Sequence, residues 1–225
     1  MRRATRLCLA ALVFLASACS TVPFAPTELT PASPRSAAQL TGALWDAGSG
    51  SLLIRQSALF ELHGMRVPIA GVMKLDLAAR QARLVGMNDM GVKLYDISVD
   101  PAGSRANFVM PELARYPGFA EAVGLSVRRI FLEPRPAPDD ALTLSRDSYR
   151  LAREGDGARV EFLLGGARAQ LLEKSCRGRA CSWRVRYYQY QHDKGSLFPG
   201  GIVLDDDRAG YRLTLWIESV EISDE

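Results

Sequence analysis

Apolar and polar residues alternate along most of the chain after residue 50. Apolar side chains recur at nearly every second position from Leu52 to Leu62 and again from Met65 to Leu77, with arginine, lysine, serine and acidic residues between them. A period of two places one face of a β-strand on a core and the other face in solvent. Only His63-Gly64 separates the two runs, so we predict that they form a β-hairpin.

The same alternation predicts nine further strands, and the turns between them are rich in glycine, aspartate and proline. These strands cover 82–88, 92–99, 105–110, 148–153, 158–164, 168–175, 182–191, 202–204 and 211–220. Together with the first hairpin they make about eleven antiparallel strands.

One stretch has the spacing of a helix. Its apolar residues fall on a single helical stripe, which follows Pro117-Gly118 and ends before the Pro-rich run 134–138. The stripe consists of Phe119, Ala122, Val123, Val127, Ile130 and Phe131. Neither half of the chain beside the Pro-rich run has enough strands to close alone. We therefore predict a mainly β (α+β) fold, in which one sheet curves around one main helix in a single domain over 41–225.

The amino-terminal residues have the order of a secretory signal peptide over 1–18. Three arginines precede the apolar run 7–16, and small residues lead to Cys19. A cysteine at this place resembles the bacterial lipobox, in which the thiol receives a diacylglyceryl group and becomes the first residue. The position three before the cysteine is Ala16, where a large aliphatic residue is usual. The alternative is an ordinary signal peptide cut near Ala18, which leaves Cys19 as a free thiol.

Residues 19–40 are rich in proline, with Pro23, Pro26, Pro31 and Pro34, and have few large apolar residues. Such a composition is typical of an extended tether, which at about 3.1 Å per residue reaches at most ~60 Å from a lipid anchor. By analogy with the sorting rule of enteric bacteria, Ser20 after the cysteine favours the outer membrane. We therefore expect a lipid-anchored protein on the outer membrane that faces the periplasm.

Composition and charge exclude several classes of protein. With 48% hydrophobic and 24% charged residues the chain is not disordered throughout. No apolar run reaches the ~18–20 residues of a membrane-spanning helix. The net charge of +3 comes from Arg2, Arg3 and Arg6 in the predicted signal peptide, and without them basic and acidic residues balance at 25 each. The balance removes the composition-level argument for nucleic-acid binding.

Cys176 and Cys181 flank a predicted hairpin turn and should face each other across it. In an oxidising compartment this arrangement favours a disulfide, which for so short a loop contributes about 2 kcal/mol. A metal site or a reactive thiol is the alternative, although His63 and His192 are the only histidines in the chain.

The sequence offers little catalytic chemistry. It contains no H-E-x-x-H and no G-x-S-x-G. The run 205–207 of three aspartates could bind a cation, but aspartates followed by Gly210 are more typical of a turn. We expect a protein that is not an enzyme, with no metal and no cofactor.

A wide apolar interior is the remaining candidate site. Methionines are frequent in the first predicted strands, and flexible thioethers suit an adaptable apolar surface. Aromatic residues are concentrated in the strand 182–191. The candidate ligand-contacting residues are Phe60, Met65, Val67, Met73, Leu75, Met87, Tyr95, Phe108, Met110, Trp183 and Tyr187. The alternative is that these side chains simply fill the interior.

Met90 should lie at the tip of the turn 88–91, where an apolar side chain has no alternating partner. Single exposed apolar residues are common. The functional alternative is that Met90 contacts the bilayer or a client protein.

The lipobox, the tether and the segment 84–96 (LVGMNDMGVKLYD), followed by Met110-Pro111-Glu112-Leu113, resemble an uncharacterised family of bacterial lipoproteins. That family is often encoded among aryl-polyene and fatty-acid-like biosynthesis genes. The strand–helix–strand order over 41–222 is also similar to that of the Lol proteins, the periplasmic lipoprotein carrier and the outer-membrane lipoprotein receptor, which have more helical lid material.

The resemblance implies an incomplete antiparallel barrel closed by a helix, with a cavity for acyl chains. It implies a lipoprotein that binds or hands over an acyl- or polyene-type ligand. The alternative is a non-catalytic envelope scaffold or accessory subunit of a biosynthesis or export complex, whose apolar face is filled by its own side chains or by a partner protein.

Overall fold

The computed structural model describes residues 22–193 and 196–223, and the predicted signal peptide and Cys19 lie outside them. The described residues form twelve strands. These are β1 (Ser51–Leu62), β2 (Met65–Asp76), β3 (Gln81–Met87), β4 (Lys93–Val99), β5 (Ser104–Val109), β6 (Ala141–Leu144), β7 (Ser148–Gly155), β8 (Ala158–Gly165), β9 (Gln170–Gly178), β10 (Ser182–Asp193), β11 (Ser196–Asp206) and β12 (Tyr211–Ser223).

All twelve strands belong to one antiparallel sheet with the order β5-β4-β3-β2-β1-β12-β11-β10-β9-β8-β7-β6. The first strand pairs with both the second and the last, so the sheet stays open at β5 and β6. The mainly β, antiparallel architecture is thus confirmed. One strand more than predicted is present, because β6 has only four residues and is too short for a period of two to stand out.

The helices are α1 (Ala37–Gly42), α2 (Pro111–Ala114) and α3 (Phe119–Val127), and a π-helical turn over Arg128–Leu132 continues α3. The predicted helix is confirmed as α3 with this turn. Gly118 precedes α3 in the left-handed conformation, with φ 77°, which suits a residue without a Cβ. No described helix has the length and apolar character to cross a membrane.

The core lies on one face of the sheet, here called the inner face, under α1, α3 and the π-helical turn. Ile130, Phe131 and Leu132 of the turn are buried against inward residues of the strands. The hydroxyl of Tyr187 in β10 donates to the backbone oxygen of Ile130 at 2.7 Å, and Arg129 pairs with the buried Asp206. These contacts attach the turn to the sheet at β10 and β11.

The predicted tether is wrong for the residues that the structure describes. Residues 22–36, here called the strap, lie on the folded domain: Phe24 is buried, and the backbone N–H of Ala32 donates to the oxygen of Arg146. Leu40 is fully buried in the core, so the packed chain begins before residue 41. Prolines keep the strap extended, and the buried ring of Phe24 anchors it to the sheet together with the backbone contact of Ala32.

The turns between the strands fall at two opposite ends of the sheet, here called end A and end B. End A carries the turns 63–64, 88–92, 156–157, 179–181 and 207–210, and end B carries the turns 77–80, 100–103, 145–147 and 166–169. The pairing of Leu62 with Tyr211 and of Asp206 with Trp183 places these turns at a common end.

Candidate functional site

The centre of the inner face is filled by the protein's own side chains. The rings of Trp45 and Phe131 meet edge to face at 6.3 Å between centroids. The space between these rings, Ile54, Phe198 and Ile202 is too small for a water molecule. Five predicted ligand-contacting residues lie in this packed core: Met73, Leu75, Tyr95, Trp183 and Tyr187. In this conformation they contact the protein's own core.

A buried polar group lies within this core. Lys174 of β9 is only 2% exposed, and its Nζ donates to the carbonyl oxygen of Pro134 at 3.4 Å. Burial lowers the pKa of Lys174 to about 8, although the carboxylate of Asp46 acts in the opposite direction. Burial also raises the pKa of the neighbouring Tyr187 hydroxyl well above its ordinary value. Lys174 therefore carries a charge at neutral pH at an energetic cost.

The β1–β2 hairpin extends past β3 at end A, because β3 pairs with β2 only from Ala70 onward. Its inward side chains are apolar and partly exposed, and we call them the mouth: Phe60, Leu62, Met65, Val67 and Ile69. Met65 is 51% exposed. Pro68 stands on the free edge of β2, where its missing N–H breaks no ladder hydrogen bond. Three predicted residues, Phe60, Met65 and Val67, are thus brought together at an accessible apolar surface.

Two aromatic contacts border the mouth. Tyr211 of β12 packs on Phe60 with 5.5 Å between ring centroids, and its hydroxyl lies 2.8 Å from that of Ser126 in α3. Phe119 at the start of α3 packs edge to face on Tyr95 at 5.5 Å. The mouth therefore opens where α3 meets the sheet.

Gln56 is a polar residue of the inner face that was missing from the sequence-based set. It is 7% exposed, between the packed core and the mouth, and its Oε1 accepts no hydrogen bond from any residue that the structure describes. A donor on a ligand can bind there. The sequence does indicate this inward position, because a period of two places residue 56 on the same face as Ile54 and Ala58.

Phe108, Met87 and Met110 are not in the mouth. Phe108 pairs with Asp96 on the outer face, because a register shift between β4 and β5 reverses the alternation that the sequence suggested. Met87 pairs with Ala70, also on the outer face. Met110 precedes α2 as its N-cap residue. Placing Phe108 and Met87 on the inner face is therefore incorrect.

Met90 is 83% exposed at the tip of the β3–β4 turn, as expected. The side chain of Asn88 accepts hydrogen bonds from the backbone N–H groups of Met90 and Val92, which closes the turn without using the methionine side chain. The thioether is therefore free to make other contacts.

The two cysteines and the three aspartates have structural partners. Cys176 and Cys181 are joined by a disulfide with 5.8 Å between their Cα atoms, which confirms the predicted pairing.

Each aspartate of the run 205–207 has a partner within the protein. Asp205 binds Arg186 and Arg212, Asp206 binds Arg129, and Asp207 accepts a hydrogen bond from Ser182. No group of three metal-ligating side chains occurs among the described residues. What the site offers chemically is apolar contact with one buried amide.

Two solved structures share this fold at low sequence identity. A LolA superfamily protein from Nitrosomonas europaea matches with a TM-score of 0.55 and 10% identity, over 85% of this chain and 96% of its own. A putative outer membrane lipoprotein-sorting protein domain from Vibrio parahaemolyticus matches with 0.52 and 10%, over 84% and 91%. No protein-family model and no curated protein sequence matches the chain. The similarity establishes a Lol-like fold.

Proposed function

We propose that this protein binds the apolar chain of an acyl- or polyene-type molecule between the inner face of the sheet and α3, and hands it over without catalysing a reaction. The protein acts in the bacterial envelope, held by a lipid on Cys19 at the outer membrane and facing the periplasm. The mouth is the observation that carries the proposal. Five inward apolar side chains of a protruding hairpin are partly exposed beside a core that α1, α3 and the π-helical turn cover.

The apolar chain of the ligand enters along Phe60 and Val67. It moves toward the core by displacing the π-helical turn. A π-helical turn is a frequent mark of a functional site, because its irregular hydrogen bonds allow local rearrangement. Displacement of Phe131 from Trp45 exposes the packed residues Met73, Leu75 and Tyr187 to the ligand. Gln56 holds a hydrogen-bond donor of the ligand at the border of the mouth.

The filled core favours a second function. A sheet whose central inner face is filled by its own side chains needs no ligand there. The protein then acts as an envelope scaffold or accessory subunit that presents the mouth to a partner protein. The two functions differ in whether an apolar molecule reaches the inner face.

The three tryptophans allow a direct test, because Trp45 and Trp183 lie in the inner core and Trp216 lies on the outer face. A brominated fatty acid quenches a tryptophan only on contact. We expect it to quench Trp45 and Trp183, with Trp216→Phe leaving the effect intact. Val67→Asn should weaken binding about tenfold, the loss for one apolar side chain, whereas Val92→Asn outside the mouth should not. Quenching confined to Trp216, or none, refutes inner-face binding and favours the scaffold.

A further inference from the structure

The strap crosses the outer face of the sheet from end B toward end A. Near end B, Leu29 lies close to Gly165 at the end of β8, and Glu28 and Thr27 lie close to Gly166. Further toward the amino terminus, Phe24 packs on Trp216 of β12 at 5.5 Å and on Tyr188 of β10 at 5.6 Å. The chain therefore runs diagonally from β8 toward β1 as it approaches its first described residue, Val22.

The seat of Phe24 is built for an aromatic ring. Gly201 leaves the space that the ring occupies, and a Cβ on residue 201 would stand 2.5 Å from the Phe24 Cδ1 atom. Beyond Phe24, Val22 and Pro23 border an open pocket of about 330 Å³ whose other walls include Leu59, Glu61 and Arg66. Glu61 and Arg66 stand beside the turn 63–64, so the strap leads to end A.

Three residue steps separate Cys19 from Val22, and a fully extended chain covers at most about 11 Å in three steps. The docked strap therefore reduces the reach of an anchor from the ~60 Å of a free tether to a distance similar to the depth of a lipid headgroup layer. A lipid on Cys19 cannot then be far from end A.

End A also carries exposed large apolar side chains on the β1–β5 half of the sheet. Met65 is 51% exposed, Met90 is 83% exposed, and Val92 and Phe108 are exposed as well. Exposed apolar groups on neighbouring turns, next to the point where a lipid would enter the membrane, fit a bilayer surface.

We propose that the strap holds end A against the bilayer, so that the mouth opens toward the membrane and not toward the periplasm. The proposal rests on the lipidation of Cys19 given under the proposed function. It adds that the seat of Phe24 sets the orientation of the domain on the membrane. The partner of the exposed side chains at end A is then the lipid surface.

The experiment places an environment-sensitive fluorophore on Met90→Cys at end A or on Ile222→Cys at end B, in the mature full-length lipoprotein. Ile222 is the matched control, because it is 59% exposed at the opposite end. The protein is reconstituted in vesicles of phosphatidylethanolamine and phosphatidylglycerol that contain a lipid-bound quencher. We expect at least a threefold stronger quenching at position 90 than at position 222.

A second pair of variants tests the strap. Inserting a flexible Gly-Ser segment after Thr21 lengthens the link between the lipid anchor and the docked strap. Phe24→Ser releases the strap itself, and Ala25→Ser, at the exposed strap position next to Phe24, is its control. The insertion and Phe24→Ser should each reduce the difference in quenching between positions 90 and 222 to below about half, and Ala25→Ser should preserve it. The insertion keeps the test valid where Phe24→Ser lowers stability.

Equal quenching at both ends, or a difference that the insertion leaves unchanged, overturns the proposed orientation while the lipid anchor stands. A mature amino-terminal peptide without lipid, seen by mass spectrometry, overturns the anchor and this orientation together. Binding of the brominated fatty acid at the inner face is measured separately and is affected by neither result.

Discussion

Gly86 of β3 lies directly opposite Tyr95 of β4, and the tyrosine ring covers the space where a side chain on residue 86 would stand. A Cβ at that position would be well under 3.0 Å from three ring atoms. The pair is an example of an aromatic ring that covers a glycine across a sheet, which supplies the packing that the glycine lacks. Part of the segment 84–96 is thereby explained by packing and not by ligand contact.

The first prediction concerns this pair. Gly86→Ala should lower the free energy of unfolding by about 1–3 kcal/mol, because the new methyl group forces the buried Tyr95 ring out of its position. Gly155→Ala is the control, since a Cβ at residue 155 meets no atom within 4 Å. Urea denaturation of both variants measures the difference. Equal stability of the two would show that the ring can move without cost.

Alternation along the chain was sufficient to predict the first hairpin, the helix and the class of fold. It could not identify β11 in full, because Pro199, Gly200 and Gly201 resemble a turn although they lie within a strand. The glycines are needed there for close approach, since a Cβ at residue 201 would meet the Phe24 ring. A contact between residues far apart in sequence is invisible to a local pattern.

The candidate site was predicted in part. Phe60, Met65 and Val67 meet in the mouth because they follow an undisturbed period of two on paired strands. Phe108 was placed on the wrong face because the shift between β4 and β5 cannot be read from composition. The docking of Phe24 was missed for a similar reason. A single aromatic residue among prolines gives no periodic signal.

The second prediction uses the buried lysine. Because the pKa of Lys174 is lowered to about 8 in the folded protein, the unfolded chain binds a proton more readily between that pH and 10.5. The free energy of unfolding should therefore rise with pH across this window, by at most about 1.4 kcal/mol per pH unit. Below pH 8 Lys174 is protonated in the folded and in the unfolded protein. The free energy of unfolding is then lowered by the full cost of burying the charge.

Lys174→Met should remove this rise, since methionine fills a similar volume without a charge. Lys93→Met at an exposed position is the control and should keep it. The measurement is urea denaturation at several pH values between about 7.5 and 9, where few tyrosines of the unfolded chain ionise. An identical pH dependence in both variants would contradict the assignment to Lys174.

The third prediction concerns the Cys176–Cys181 disulfide. The bond closes a short loop, with a sequence separation of 5, so replacing both cysteines by serine should cost about 2 kcal/mol of stability. Thermal unfolding with and without reductant should show the same difference for the native protein and none for the double variant. Non-reducing peptide mapping checks the pairing itself, and free thiols in protein taken from the periplasm would contradict it.

The fourth prediction concerns Met90. An exposed side chain that makes no contact needed by the turn can be exchanged with little effect on folding, so Met90→Glu should change the free energy of unfolding by no more than about 0.5 kcal/mol. If the thioether contacts lipid, the acidic side chain should weaken vesicle association of the lipidated protein several-fold, because a carboxylate must be desolvated at an anionic surface.

Two control variants show what causes a loss of association. Met90→Gln separates the loss of apolar contact from the added charge, and Ile222→Glu at end B should leave association unchanged. A large loss of stability in Met90→Glu would show that the methionine packs against the fold. Unchanged stability with unchanged association would make Met90 a turn residue without a contact role, and the bilayer contact of end A would then have to come from Met65 and its neighbours on the β1–β2 hairpin.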